Sequence, residues 1–199
     1  MKKNEEYIVT CIDDTDLNSG VVKIDDMVVF VPNLLIGEKA KIKIVKVNKK
    51  YAFGIITQLL EPSINRQELT CEVAKTCGGC QLQHMKYAYQ LDYKYKHVKK
   101  LFEDIEVKPI LGMDSPWYYR NKAQFPVKIK DGKVLMGFYR QHSNDVVTCK
   151  ECKIQDFTIN KIFGFIQKHI TIEMAEGLRH IFIRHSSTDE IQVVKKKKN

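Results

Sequence analysis

Lys39-Ala40-Lys41-Ile42-Lys43-Ile44 decides the fold of the first third of the chain. Apolar residues alternate here with lysines, and a period of two puts the two sets on opposite faces of an extended strand. Upstream, Tyr7 to Ile12, Val21 to Ile24 and Met27 to Val31 are β-rich runs, separated by Asp13-Asp14-Thr15-Asp16, Asn18-Ser19-Gly20 and Asp25-Asp26. Pro32, which cannot donate to a ladder, stops the third run, and Gly37 leads into the lysine alternation. Downstream, Asn48-Lys49-Lys50 turns the chain into Tyr51 to Leu60. Five such strands within the first 62 residues predict a small all-β barrel of the OB-like kind, whose closure removes exposed edges.

Glu61-Pro62-Ser63 ends this module, because the residue before proline is pushed out of helical space. Residues 63–194 read as an α+β domain. In Tyr87 to Phe102, the residues Ala88, Leu91, Tyr95, Val98 and Phe102 recur at helical spacing and form the expected apolar face. Lys86, Tyr89, Tyr93, Lys96 and Lys100 form the other face, either a solvated surface or a basic and aromatic stripe. Tyr119 to Val127 and Lys133 to Arg140 read as strands joined by an Asp131-Gly132 hairpin turn, followed by Val146 to Thr148. Phe157 to His169 predicts a second helix, and Leu178 to His185 with Glu190 to Val194 a last hairpin. Residues 195–199, which include Lys195 to Lys198, read as a basic tail.

Of 199 residues, 44% are hydrophobic and 29% charged, which is a globular composition. The longest apolar run, Met27 to Val31, is far below the ~20 residues of a spanning helix, and no signal-peptide core follows Met1, so the expected compartment is the cytoplasm with no membrane partner. The net charge of +9 is uneven: residues 1–62 carry nine basic and nine acidic side chains, and residues 111–199 carry sixteen and nine. A nucleic-acid partner fits this surplus. Lys39, Lys41 and Lys43, with Lys46, Lys49 and Lys50, are one candidate contact surface. Trp117-Tyr118-Tyr119-Arg120-Asn121-Lys122 is another, where aromatics stack on unpaired bases while Arg120 and Lys122 hold phosphates.

Six cysteines without a secretory signal point to metal or reactive roles rather than disulfides. Cys71, Cys77 and Cys80 form C-x5-C-x2-C with Gly78-Gly79 between the last two; Cys149 and Cys152 lie far downstream. Glycines permit tight turns around an inorganic centre, and their amides can donate to sulfur. The spacing fits a [4Fe-4S] cluster on three clustered cysteines and one remote. It fits equally a tetrahedral zinc held by Cys77-x2-Cys80 and Cys149-x2-Cys152. Cys11, on a barrel strand, reads as core, and His84, His180 and His185 read as structural.

Thr76-Cys77-Gly78-Gly79-Cys80-Gln81-Leu82-Gln83-His84, preceded by Cys71, resembles the iron–sulfur signature of bacterial 23S rRNA (uracil-C5)-methyltransferases. Gly20-Val21, Val29-Phe30-Val31-Pro32, Gly37-Glu38 and Lys50-Tyr51-Ala52-Phe53-Gly54 resemble that family's N-terminal TRAM domain. Tyr119 to Phe125, Gly137-Phe138-Tyr139-Arg140 and Gly177 to Ile181 are similar to its central domain. The resemblance implies a [4Fe-4S] cluster on Cys71, Cys77, Cys80 and Cys152, the last opening a Cys-x-Ile-Gln stretch. Lys153 stands where the family commonly has proline, and Cys149 is additional. It also implies an RNA partner, ribosomal in the family's pattern, met by Lys39, Lys41, Lys43, Arg120, Lys122 and Arg140.

In that family a cysteine thiolate adds to uracil C6, C5 takes the methyl group from S-adenosylmethionine, and a carboxylate removes the C5 proton. The cofactor needs a strand followed by a glycine-rich turn. No G-x-G occurs in these residues, and no cysteine is left for attack. The expectation is therefore an N-terminal, C-terminally incomplete part of such an enzyme, inactive alone, using S-adenosylmethionine only if a separate catalytic chain supplies the missing domain. A stand-alone RNA-binding module and a zinc-stabilised structural protein are the competing expectations.

Overall fold

The lysine alternation folds as predicted in the computed structural model, which describes residues 1–102 and 104–197. It lies in β5 (Lys39–Val47), where Ala40, Ile42 and Ile44 are fully buried and the intervening lysines are partly exposed. The neighbouring strands are β1 (Glu6–Thr10), β2 (Asp13–Asp14), β3 (Ser19–Ile24), β4 (Met27–Pro32) and β6 (Tyr51–Glu61). They form one sheet in the order β1-β5-β6-β4-β3-β2. Six strands stand where five are expected, because the acidic run after β1 pairs Asp13 with Val21 and Asp14 with Gly20 instead of only turning.

The two end strands of this sheet are consecutive in the chain. Residues 11 and 12 join them: the Cys11 N–H donates to the Glu38 carbonyl and the Ile12 N–H to the Val21 carbonyl, both at 2.9 Å. The sheet curls around Val9, Cys11, Val22, Val29, Val31, Leu34 and the buried face of β5. Cys11 is core, as expected, and burial pushes its thiol up to about 11. Gly20 is required at this seam, since a Cβ there would lie 2.5 Å from the Leu34 carbonyl and 2.6 Å from the Cys11 sulfur.

The compact units divide differently from the expected 62/63 break. One contains residues 1–68 and 81–112, the other residues 69–80 and 113–199. Two polar clips explain why residues beyond the barrel belong to the first unit. Glu38 has no exposed surface, and its carboxylate accepts the Leu35 N–H at 2.9 Å and the Ser63 N–H at 3.0 Å. The Arg66 guanidinium grips both of its oxygens, at 2.5 and 2.7 Å, and also donates to the Asn33 carbonyl at 2.6 Å. A buried carboxylate persists only with this degree of compensation.

The second clip holds α1 (Tyr87–Leu101), and it inverts the expected helix face. Tyr93 is the buried residue of α1, Tyr89 packs beside it with Leu35 and Met85, and His97 lies 4.4 Å from the Tyr93 ring. Val98 and Phe102, expected inside, are exposed. A tyrosine combines a large apolar body with a hydroxyl that needs a partner, and here the Tyr93 hydroxyl donates to the Thr15 carbonyl and accepts the Asn18 N–H. The Asn18 amide also donates to the Gln81 carbonyl at 2.7 Å.

His84 is buried in the same unit, with Nε2 unpartnered among the described residues. Burial, reinforced by Arg66, lowers its pKa from 6.5 to about 4. As pH falls from 6.5 to 4 the unfolded chain therefore takes up a proton that the folded chain refuses, and stability declines through that window by roughly 2–4 kcal/mol. Denaturant titrations at several pH values should show this slope in the parent chain and its loss in His84→Leu.

In the second unit, β11 (Leu178–His185) sits between β7 (Lys122–Lys130) and β12 (Ile191–Lys197), with β8 (Lys133–Met136) beyond β7. Asp131 and Gly132 both have positive φ, 50° and 69°, which is the expected tight hairpin turn between β7 and β8. A short pair, β9 (Phe138–Tyr139) and β10 (Val146–Val147), follows. The helix α2 (Phe157–His169) occupies its expected range, capped by Asp156, whose carboxylate accepts the Thr158 and Ile159 N–H groups. It packs Phe163 flat on Phe125 at 4.3 Å, and α3 (Ile172–Ala175) adds Ala175 to the core. The lysines expected in a tail are not all outside the sheet: Lys195, Lys196 and Lys197 belong to β12, opposite Ile181, His180 and Leu178. Lys198 lies outside the described residues.

Candidate functional site

The distant cysteines meet in the second unit. Residues 71–77 are wound by turns, with the Ala74 N–H donating to the Cys71 carbonyl and the Thr76 and Cys77 N–H groups to the Val73 carbonyl. The Gly78 N–H then donates to the Tyr139 carbonyl and the Gln141 N–H to the Thr76 carbonyl, which seats the loop on β9. A Cβ on Gly78 would come within 3.3 Å of that carbonyl, so glycine lets the loop approach. The second cysteine pair lies between β10 and α2. Its backbone is held by Asn160 of α2, which accepts the Cys152 N–H and donates to the Cys152 and Gln155 carbonyls. The Lys150 N–H donates to the Glu72 carboxylate at 2.8 Å and ties the two loops together.

Electrostatics place the thiols in one neighbourhood. Burial raises Cys80 to about 11, and the nearby Cys152, Cys77 and Cys71 add to the rise. Burial raises Cys149 to about 12, with Cys152, Cys71 and Cys77 contributing. Cys77 and Cys152 are raised for the same first reason, offset by amide donors: the Gly79 N–H at 3.3 Å from the Cys77 sulfur, and the Ile154 and Gln155 N–H groups at Cys152. Burial makes Cys77, Cys80, Cys149 and Cys152 resist ionisation; a bound cation reverses that logic and takes thiols as thiolates with release of protons. Among the described residues no three His, Cys, Asp or Glu side chains stand in an arrangement that holds a metal ion. The donor set itself, sulfur only and supplied with amide donors, suits a sulfur-ligated group in kind. Cys152 has two amide donors, whereas Cys149 is packed into the hydrophobic core.

Arg120 belongs with these thiols. Its backbone bridges the 152–156 loop, donating to the Ile154 carbonyl and accepting the Asp156 N–H, and its charge acts on Cys77 and Cys80. The guanidinium also lies 6.0 Å from the exposed Tyr119 ring. Arg140 pairs with Cys77 in an isolated bridge. Lys122 opens β7 directly opposite Arg184. That second cation was not singled out from the sequence, and only the β7–β11 register reveals it. Tyr118 stacks on Phe157 at 4.0 Å and donates to the Glu151 carboxylate at 2.5 Å, with Lys153 on the same group at 3.2 Å. It is therefore committed to its own unit.

On the barrel, the lysines of β5 are unequal. Lys41 is paired with Glu6 at 2.7 Å and Lys39 with Glu61 at 3.1 Å. Among the described residues, no ion pair engages Lys43, Lys46, Lys49 or Lys50, although Lys43 stands opposite Glu6 of β1 and, after Lys41, its charge helps hold that carboxyl down.

The comparisons agree with the geometry of this first unit. Residues 3–57 match the TRAM domain. Over 98% of its length the chain is similar to uncharacterized RNA methyltransferases: 38% identical to one of Clostridium acetobutylicum, 39% to one of Halalkalibacterium halodurans and 40% to one of Bacillus cereus. The chain spans less than half the length of these relatives, 46% in each. No helix among the described residues is long and apolar enough to cross a membrane.

Proposed function

We propose that this chain is the RNA-binding and iron–sulfur part of an S-adenosylmethionine-dependent RNA (uracil-C5)-methyltransferase acting on ribosomal RNA. The similarity to RNA methyltransferases along 98% of the chain carries this reading. The TRAM match supports RNA as the partner, with the methyl-transfer chemistry assigned to the part of the relatives that this chain does not span. A [4Fe-4S] cluster on Cys71, Cys77, Cys80 and Cys152 accounts for four partly buried thiols, two of which, Cys77 and Cys152, have amides directed at sulfur, and its chemistry here would be to cross-link two loops far apart in sequence. Arg120, Lys122, Arg140 and the β5 lysines supply phosphate contacts.

Binding should depend steeply on salt, because each phosphate contact releases counterions. Fluorescence anisotropy with a ribosomal RNA fragment should show affinity falling several-fold as salt is raised, and Arg120→Ala with Lys122→Ala should weaken it and flatten the salt dependence. Salt-independent affinity, or no binding at low salt, overturns the RNA reading.

A further inference from the structure

The outer face of the curled sheet carries three aromatic rings that its core does not use. Phe30 of β4 and Phe53 of β6 are register partners, with ring centroids 5.9 Å apart. Tyr51 lies 5.5 Å from Phe53 and 5.8 Å from Phe30, edge-on to both, and is 40% exposed. The alternation fixes their direction, since Val29, Val31 and Ala52 beside them point into the core. Lys46 stands opposite Phe53 across β5 and β6, and Lys43 opposite the exposed Ile55. These are two of the lysines without an ion pair among the described residues, and Lys49 and Lys50 precede Tyr51 directly.

We infer that Phe30, Tyr51 and Phe53, bordered by Lys43, Lys46, Lys49 and Lys50, form a stacking platform for the unpaired bases of single-stranded RNA. This rests on the RNA-binding reading above and specifies the form of RNA bound by the barrel. Rings on an exposed strand face stack with any base, whereas the lysines at their border hold the backbone that links those bases. A duplex keeps its bases stacked on each other and gains nothing from the rings. An apolar protein partner fits less well, because this border is cationic and unpaired.

The test uses the whole chain and two probes, a short fluorescein-labelled oligouridylate and an RNA duplex of the same length, titrated over a range of salt. Tyr51→Leu with Phe53→Leu should weaken oligouridylate binding by about tenfold or more, leave duplex binding within about twofold and keep the salt slope, since base stacking is sequence-tolerant and uncharged. Lys43→Ala with Lys46→Ala should reduce the slope for both probes. Tyr51→Phe keeps the ring and should bind as the parent does, which separates lost stacking from lost folding. Photocrosslinking of 5-iodouridine-substituted oligonucleotide should label the peptide containing Tyr51 and Phe53. Unchanged oligouridylate affinity in the leucine variant, or an equal loss for both probes, overturns the platform while leaving RNA binding in place. A parent chain that binds neither probe at low salt overturns both.

Discussion

Replacing Arg66 with alanine should lower the unfolding free energy by about 3–5 kcal/mol, the cost of stranding a buried carboxylate without its partner. Glu38 has no exposed surface, and Arg66 is the only guanidinium on it among the described residues. Burial alone would raise the Glu38 pKa; Arg66 and the Leu35 and Ser63 amides outweigh that and hold it below the usual carboxylate value. The clip therefore contributes fully above the ordinary carboxylate pKa of about 4.5 and is lost as pH falls through the lower folded value. That loss begins only below about 4.5, where most of the His84 change is already complete. Urea titrations at neutral pH and at a series of pH values below 4.5 check it: Arg66→Ala and the parent should differ strongly at the first, and the difference should shrink as pH falls. Glu38→Gln with Arg66→Met, which removes both charges, should recover much of the loss.

Cys152→Ser should abolish retention of an iron–sulfur cluster, whereas Cys149→Ser should keep it. The measurement is iron and acid-labile sulfide per chain after anaerobic reconstitution, together with the visible absorption of the brown protein. The physical difference is that Cys152 has the Ile154 and Gln155 amides at its sulfur, while Cys149 packs into the core with Phe125 and Phe163. Retention by Cys152→Ser and loss by Cys149→Ser would move the ligand to Cys149. Stoichiometric zinc without iron, lost in both variants, would favour the paired C-x2-C arrangement instead.

The elements legible in advance are those set by local periodicity and turn chemistry. Lys39 to Ile44 alternates and becomes half-buried β5; Asp131-Gly132 adopts positive φ and joins β7 to β8; Phe157 to His169 follows a helical period and is α2. The glycine-spaced cysteines stand out as a candidate site because thiols at such spacing have few other uses. Each of these features is decided within about fifteen residues, where backbone sterics and side-chain period dominate.

What required the tertiary structure is everything decided by a distant partner. Helical spacing marked Val98 and Phe102 as the inner side of α1, but the Tyr93 hydroxyl found its partners at Thr15 and Asn18, and the face turned accordingly. Glu38 looked like one of nine acidic residues in the first module until Arg66 closed on it. Lysines 195 to 197 read as a tail, because a like-charge run disfavours packing; β11 offered an unpaired edge, and ladder hydrogen bonds to it do not depend on side-chain type. Local residue order alone sets which residues alternate, turn and carry thiols. Only the folded chain decided which charges are cancelled, which rings lie outward and which cysteines feel one another's charge, because those depend on partners brought together across long loops.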